Sequence, residues 1–331
     1  MDAIVMYLAK INRITYSMRF LLLLLLPVMS FAQSLPSHAY GDKRHPPVIF
    51  LHGGPGSNSI NFESTTAQLL ADQGFYVITY DRRGEGRASG MAAQYTFQQS
   101  FDDLNAIMRE YHLPKATVIG FSFGGIVATL FADKYPEKVQ SLVLVSALVD
   151  VQATYSTIIE SCSDIYRKRK DSAGLQDLAA LQKLDRGSQE FRRGCFRQAS
   201  RNGFFATPHR DSAAVEIYKR LDTDTLYQQY AAKSNDAPVS GFWQNEHYSM
   251  INNIPVLQRL KKSGMPIFAI YGKDDGLFSV KQIAELERIT GAKNARLAYF
   301  DHAAHYLYND QQQSFLHAFS LWKAKGGLTA R

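Results

Sequence analysis

Residues 116–136 read ATVIGFSFGGIVATLFADKYP. A β-branched run, Thr117–Ile119, enters a turn at Gly120-Phe121-Ser122-Phe123-Gly124 and leaves it into an apolar stretch of helix length. A Gly-x-Ser-x-Gly between a strand and a helix is the pattern of a nucleophile elbow. The turn is so tight that small residues are required two before and two after the serine. The hydroxyl then projects at a helix N-terminus, where backbone N–H groups can stabilise an oxyanion.

Outward from this unit, short apolar or β-branched runs recur at Val48–Leu51, Tyr76–Tyr80, Ser141–Val145, Ile267–Tyr271 and Arg296–Phe300. Helix-length stretches separate them, at Asn61–Gln73, Gln99–Tyr111, Gly124–Tyr135, Lys281–Thr290 and Gln311–Lys323. Strands alternating with helices predict an α/β fold, with a mostly parallel sheet covered by helices on both faces. The alternation lapses between about Asp150 and Lys262, a segment rich in Tyr, Phe, Arg and Gln. That segment reads as a helical cap inserted over the carboxyl edge of the sheet. The boundaries expected are a leader at 1–32, core at 33–149, cap at 150–262 and core again at 263–331.

A serine nucleophile needs a base and a group that orients the base. The strand PIFAIYG runs into Lys273-Asp274-Asp275, and ARLAYF runs into Asp301-His302-Ala303-Ala304-His305. Asp275 is the better placed acid, with Asp274 its rival; His305 is the expected base, with His302 as alternative. The order Ser122, Asp275, His305 is the one expected for elbow chemistry. Single acids and histidines are common in surface loops, and it is their shared position after strands that singles these out. Further upstream, VIFL leads into His52-Gly53-Gly54-Pro55-Gly56. The amide of Gly54, or of Gly53, would join that of Phe123 as an oxyanion donor, while His52 orders the turn. No Gly-Lys-Ser/Thr follows that loop and no GxGxxG is present, so it does not read as a phosphate cradle.

The first 32 residues carry their own signal. Arg19 precedes FLLLLLLPVM (Phe20 to Met29), and Ser30-Phe31-Ala32 follow, with small residues at the −3 and −1 positions of a cut before Gln33. This is the pattern of a secretory signal peptide cut after Ala32, with Met18 as an alternative start. The run is about half the roughly 20 residues of a bilayer-spanning helix, so no stable membrane insertion is expected after cleavage. The expected destination is the periplasm or the medium. In an oxidising compartment Cys162 and Cys195 can pair, and the bridge would stabilise the chain by roughly 3–4 kcal/mol. Two cysteines without local histidines make a poor zinc site, and neither a metal nor an organic cofactor is expected. The chain of 331 residues has a net charge of +7. Two of those charges lie in the leader, and the only dense basic block is Arg167-Lys168-Arg169-Lys170. A run that short reads as a solvated helix face, which argues against nucleic-acid binding.

Together, HGGPG at 52–56, the run Asp81-Arg82-Arg83-Gly84-Glu85-Gly86-Arg87, the elbow and the downstream Asp and His resemble the α/β-hydrolase superfamily, over nearly the whole mature chain. Within it, HGGPG and the D-x-R-G-x-G-R run resemble the proline iminopeptidase branch. That resemblance implies a serine hydrolase that removes an N-terminal residue, often proline, from a short peptide. It places Ser122, Asp275 and His305 in the triad, with Gly54 and Phe123 donating to the oxyanion. The sequence departs from the branch in three places. Ala88 precedes Ser89, the elbow is GFSFGG rather than GGSWGG, and the branch's Glu-x-His-Tyr-Phe cap segment stands here as Asn245-Glu246-His247-Tyr248-Ser249. An aminopeptidase must recognise an ammonium, and a buried carboxylate does so; Glu246 is the candidate. The rival readings are an esterase or lactonase of small apolar acyl compounds and, more remotely, a non-catalytic binding protein on the same fold. The cap aromatics Phe191, Phe196, Phe204, Phe205, Phe242 and Trp243 are expected to line or cover an apolar pocket, or to form the cap's own core. Only about fifteen residues separate Gln33 from Val48, so the first antiparallel strands must be short or missing. Oligomeric state has no signature in the sequence.

Overall fold

Seven strands form one sheet in the order β1-β3-β2-β4-β5-β6-β7. They are β1 (Ser37–Tyr40), β2 (Pro47–Leu51), β3 (Tyr76–Tyr80), β4 (Ala116–Phe121), β5 (Val139–Val145), β6 (Ile267–Gly272) and β7 (Leu297–Phe300). The computed structural model describes residues 34–231, 235–291 and 295–328; the expected leader and its cleavage site lie outside them. Leu35 opens the unit that holds the sheet. Every pairing is parallel except that of β1, which runs antiparallel to β3 with Ser37 opposite Tyr80.

All six residues of β4 and of β6 are buried. Strands covered on both faces need an unbroken apolar run, which is why they were visible as such in the sequence. One face carries Phe50, Phe62, Phe75, Phe315, Phe319 and Trp322, and the other Leu104, Phe123, Phe131 and Ile158. The strand that the sequence did not announce is β1. Of its four residues, SHAY, the two outer ones are partly buried and the two inner ones exposed, and pairing with β3 creates it.

The described residues between β5 and β6 are helical, from Val151 to Lys262, with no strand longer than a single bridge. That bridge joins Asp150 to Asn252, so the two ends of the segment meet. Val151 N–H donates to Ile251 O (3.0 Å) and Asn253 N–H to Val149 O (2.7 Å). Among the described residues no helix is long and apolar enough to cross a membrane.

The expected Cys162–Cys195 disulfide is absent: both are free, buried thiols. Each lies on the buried stripe of its helix, Cys162 in Val151–Arg169 and Cys195 in Gln189–Arg201. Asn202 Nδ2 donates to Cys162 Sγ (3.3 Å), whose own thiol faces Gln198 O at 3.7 Å. Burial pushes Cys162 up to about 11 and Cys195 up to about 12. Such thiols stay protonated, whereas oxidation and exchange need the thiolate.

Candidate active site

The elbow owes its geometry to three glycines. A Cβ on Gly120 would lie 2.6 Å from Gly125 Cα, one on Gly124 2.6 Å from His52 O, and one on Gly125 against Ala147 Cβ. The helix Phe123–Lys134 therefore approaches β2 and the chain after β5 more closely than any side chain allows. At the apex Ser122 has φ 53° and ψ −120°, a region costing about 1–3 kcal/mol for a residue with a side chain. Three backbone bonds hold it there. Ser122 N–H donates to Val145 O (3.1 Å), and Ser122 O accepts from Gly125 N (2.9 Å) and Leu148 N (3.1 Å). Ser122 is also the N-cap of that helix, yet its side chain makes no capping bond. Its hydroxyl stays available, and the Phe123 amide, first in the helix, has no intrahelical acceptor.

His305 follows β7 and Asp275 follows β6. His305 Nδ1 lies 2.9 Å from Asp275 Oδ2, and Asp275 Oδ1 accepts from Leu277 N (3.1 Å). Asp275 is 2% exposed, His305 5% and Ser122 9%. The rings of Phe121 (5.1 Å) and Phe205 (5.4 Å) flank the imidazole. Asp274 faces elsewhere: its carboxylate accepts from Thr207 Oγ1 (2.5 Å) and its N–H donates to Ala303 O (2.9 Å). His302, at φ 55°, stacks edge-on against His209. The structure thus joins His305 to Asp275 and leaves both alternatives outside the pair.

The HGGPG loop rests on buried charge. Arg82 Nη1 donates to His52 O (2.6 Å), and Arg82 also pairs with Glu85 (2.9 Å). Glu85 Oε2 accepts from Gly56 N (2.8 Å). Burial raises Glu85 above the usual carboxylate range, with Arg82 opposing. Burial, then the Arg82 charge, drives His52 well below the ordinary histidine value, so it is neutral and its Nε2 accepts from Arg82 N (3.1 Å). His52 therefore orders the turn. Gly54 has φ +108°, and a Cβ there would lie 2.9 Å from Gly56 N, so only glycine fits. Beside this loop, Arg87 binds both Asp81 (2.8 Å) and Glu63, tying the start of the next helix to β3.

One cavity of about 430 Å³ gathers Ser122, His305, Gly53 and Gly54. It lies at the carboxyl ends of the parallel strands, where open α/β sheets place their ligands. Leu148, Phe196, Phe205 and Tyr306 supply its apolar wall, and among the described lining residues Arg192 is the one Arg, Lys, Asp or Glu. Glu246 does not line it. Its carboxylate accepts from Phe97 N (2.6 Å) at the start of the helix Phe97–Glu110. Of the other cap aromatics, Phe191 packs on Tyr155, Phe242 on Phe97 and Phe123, and Trp243 Nε1 donates to Gly187 O. Arg192 was not singled out by sequence: in Arg192-Arg193 nothing distinguishes the inward residue from its exposed neighbour, except that it borders the buried stripe Phe191, Cys195, Gln198.

Comparison with known proteins gives the same picture at fold level. A family model described as alpha/beta hydrolase fold matches residues 46–311. The proline iminopeptidase of Lactobacillus helveticus is 36% identical over 107 residues, which are 31% of this chain and 36% of that protein. The chain thus spans about a third of the length of that relative. The proline iminopeptidase of Lactobacillus delbrueckii subsp. lactis is 26% identical over 237 residues, covering 69% of this chain and 74% of its own. The crystal structure of a proline iminopeptidase-related protein from Thermus thermophilus superposes with a TM-score of 0.61 at 20% identity, covering 88% of this chain and 93% of that one.

Proposed function

Because the chain belongs to the α/β-hydrolase fold family, we propose that it is an exported serine hydrolase working through an acyl-enzyme. The observation that carries this reading is the 2.9 Å bond between His305 and Asp275 beside a cavity that also holds the strained Ser122. With Nδ1–H bound to Asp275, the Nε2 of His305 is left as the base. It takes the proton of Ser122 Oγ as that oxygen attacks an acyl carbon, and Asp275 stabilises the imidazolium. The amides of Phe123 and Gly54 hold the oxyanion, each worth roughly 3–4 kcal/mol by precedent. His305 returns the proton to the leaving group, then activates water to release the acyl group from Ser122.

The substrate class follows from charge. None of the described residues lining the cavity is acidic, and Glu246 is engaged by Phe97 N. An ester or lactone needs no acidic anchor, so the cavity favours the esterase reading. The second reading, an N-terminal aminopeptidase, is supported by HGGPG and by the likeness to the Lactobacillus enzymes. The leader pattern at 1–32 supports export, and amino-terminal sequencing of the mature protein from an expressing cell tests the cut after Ala32.

The test of the main reading compares kcat/KM for a short aryl ester with that for a proline arylamide, using Ser122→Ala as the blank. The ester is expected to be turned over and a fluorophosphonate probe to label Ser122. If the arylamide is favoured and blocking its amine abolishes turnover, the aminopeptidase reading replaces the esterase one. Activity that survives Ser122→Ala would sink the nucleophile assignment.

A further inference from the structure

Arg192 lies on the cap helix Gln189–Arg201 and lines the cavity that holds Ser122 and His305. Its Nε is buried with no hydrogen-bond partner, and among the described residues no carboxylate pairs with it. Two aromatic rings flank it, Phe196 at 5.0 Å and Tyr248 at 5.5 Å from the guanidinium carbon. Ring faces attract the cation, but they offer no acceptor of the kind its in-plane N–H groups require. A buried donor left unmade is costly, and a buried charge more so, unless something else completes it.

Two further orphans lie nearby. The hydroxyls of Tyr155 and Tyr248 are buried and unpartnered, and both rings are close enough to feel the Arg192 charge. Burial pushes the Tyr248 phenol up to about 12, so it remains a neutral donor, and Arg192 opposes the shift. Of these three donors without acceptors, Arg192 lines the cavity, and no acid stands among the cavity's described lining residues. Planar guanidinium binds carboxylate through paired N–H bonds, and Arg is suited to that task where the site is partly dry.

We propose that Arg192 anchors a carboxylate carried by the substrate, so that this cavity takes acyl compounds bearing a free acid remote from the bond that Ser122 attacks. The proposal rests on the reading of Ser122 as nucleophile only for turnover, not for binding. It deepens the ester reading and runs opposite to the aminopeptidase one, since a cation repels the ammonium that an aminopeptidase must hold.

Two measurements test it. In the first, kcat/KM is compared for mono-4-nitrophenyl adipate and for its neutral methyl ester, which share the same acyl chain. The wild-type protein is expected to prefer the free acid by roughly 10- to 100-fold, the range for hydrogen bonds to a charged group. Arg192→Gln should collapse that ratio towards one, and Arg192→Lys should restore part of it. The lysine variant keeps the stem and charge, which covers the case in which R192Q fails to fold. In the second, calorimetry measures binding of monomethyl and dimethyl adipate to the full chain carrying Ser122→Ala. The monoacid is expected to bind more tightly, and Arg192→Gln on that background to abolish the difference. Acid preference in binding without turnover of either ester would refute the nucleophile and keep the anchor. Turnover with no acid preference, or a preference that R192Q leaves intact, overturns the anchor and keeps the hydrolase. No difference in binding also overturns it.

Discussion

Replacing Asp275 by Asn changes one oxygen to an NH2 group while keeping shape and volume, so its effect isolates hydrogen-bond direction. In the folded protein Asp275 accepts twice: Oδ2 from His305 Nδ1 (2.9 Å) and Oδ1 from Leu277 N–H (3.1 Å). An asparagine has one acceptor and one donor to place between these partners. The Leu277 amide can only donate, so the asparagine oxygen must turn to it and the NH2 group must face His305. His305 Nδ1 then becomes an acceptor, the ring proton moves to Nε2, and the atom that should accept from Ser122 is occupied. The same swap in a serine protease lowers kcat about 10⁴-fold through the wrong tautomer. That factor corresponds to roughly 5 kcal/mol of transition-state stabilisation. Here the Leu277 amide blocks the flip that could rescue the variant, so Asp275→Asn should lower kcat/KM for an aryl ester by about 10³- to 10⁴-fold, with the melting curve little changed. The assay is initial-rate hydrolysis alongside the timed reaction of Ser122 with a fluorophosphonate. Asp274→Asn is the control, because its carboxylate is bound to Thr207, and it should stay within a few-fold of wild type. If Asp274→Asn loses the activity and Asp275→Asn keeps it, the acid has been assigned to the wrong neighbour.

Other perturbations probe the framework. Gly124→Ala would gain about 1 kcal/mol from helix propensity, but its Cβ would press into the carbonyls of Leu51 and His52, so a net loss of about 2–3 kcal/mol in denaturant unfolding is expected. Burial pushes the Asp81 carboxyl up, but the Arg87 hydrogen bonds and charge outweigh it and leave it at about 2, below its ordinary 3.8. A depressed acid stabilises the fold above its unfolded value and loses that contribution as pH falls through its folded one. Asp81 should therefore supply about 2 kcal/mol above pH 4 that disappears towards pH 2, and Asp81→Asn should flatten that part of the stability profile. Glu246→Ala removes the acceptor at Phe97 N and should cost about 1 kcal/mol of stability while leaving the arylamide-to-ester ratio unaltered. A tenfold change in that ratio would return Glu246 to the substrate.

The parts of the fold that could be read from sequence are those where one physical demand dominates. β4 and β6 must be apolar throughout because both faces are covered, and each announces itself as an unbroken run. β1 has no such demand: it lies at the edge, half exposed, and its identity comes from β3. Ser122 was legible because the elbow imposes small residues around it, and the glycines prove to be excluded from any other choice by contacts with Leu51, His52 and Ala147. The preference for Asp275 over its rival Asp274 rested only on its spacing from Gly272, since two adjacent carboxylates differ only in which way the turn after Gly272 aims them. The cysteines misled for a related reason. Composition and the expected compartment allow a bridge, but the pair is resolved by which face of each helix is buried and by what each thiol meets there.

On the proposed reading, chemistry and selectivity come from different parts of the chain, and this makes them separable by experiment. Ser122, Asp275 and His305 all follow strands, and their positions are fixed by the sheet, by glycine contacts and by backbone bonds such as Ser122 N to Val145 O. Arg192 comes from a helix between β5 and β6, with no bond to any of them, and its guanidinium is held by aromatic faces. A proposed triad carried on the sheet is rigid, whereas a cap helix can exchange a surface residue for an inward charge without disturbing the elbow. The rate at which a small neutral fluorophosphonate labels Ser122 should therefore follow Asp275 and His305 substitutions, while the acid-to-neutral ester ratio should follow Arg192. If Arg192→Gln slowed labelling as much as Asp275→Asn does, Arg192 would be acting through the triad and not through the substrate.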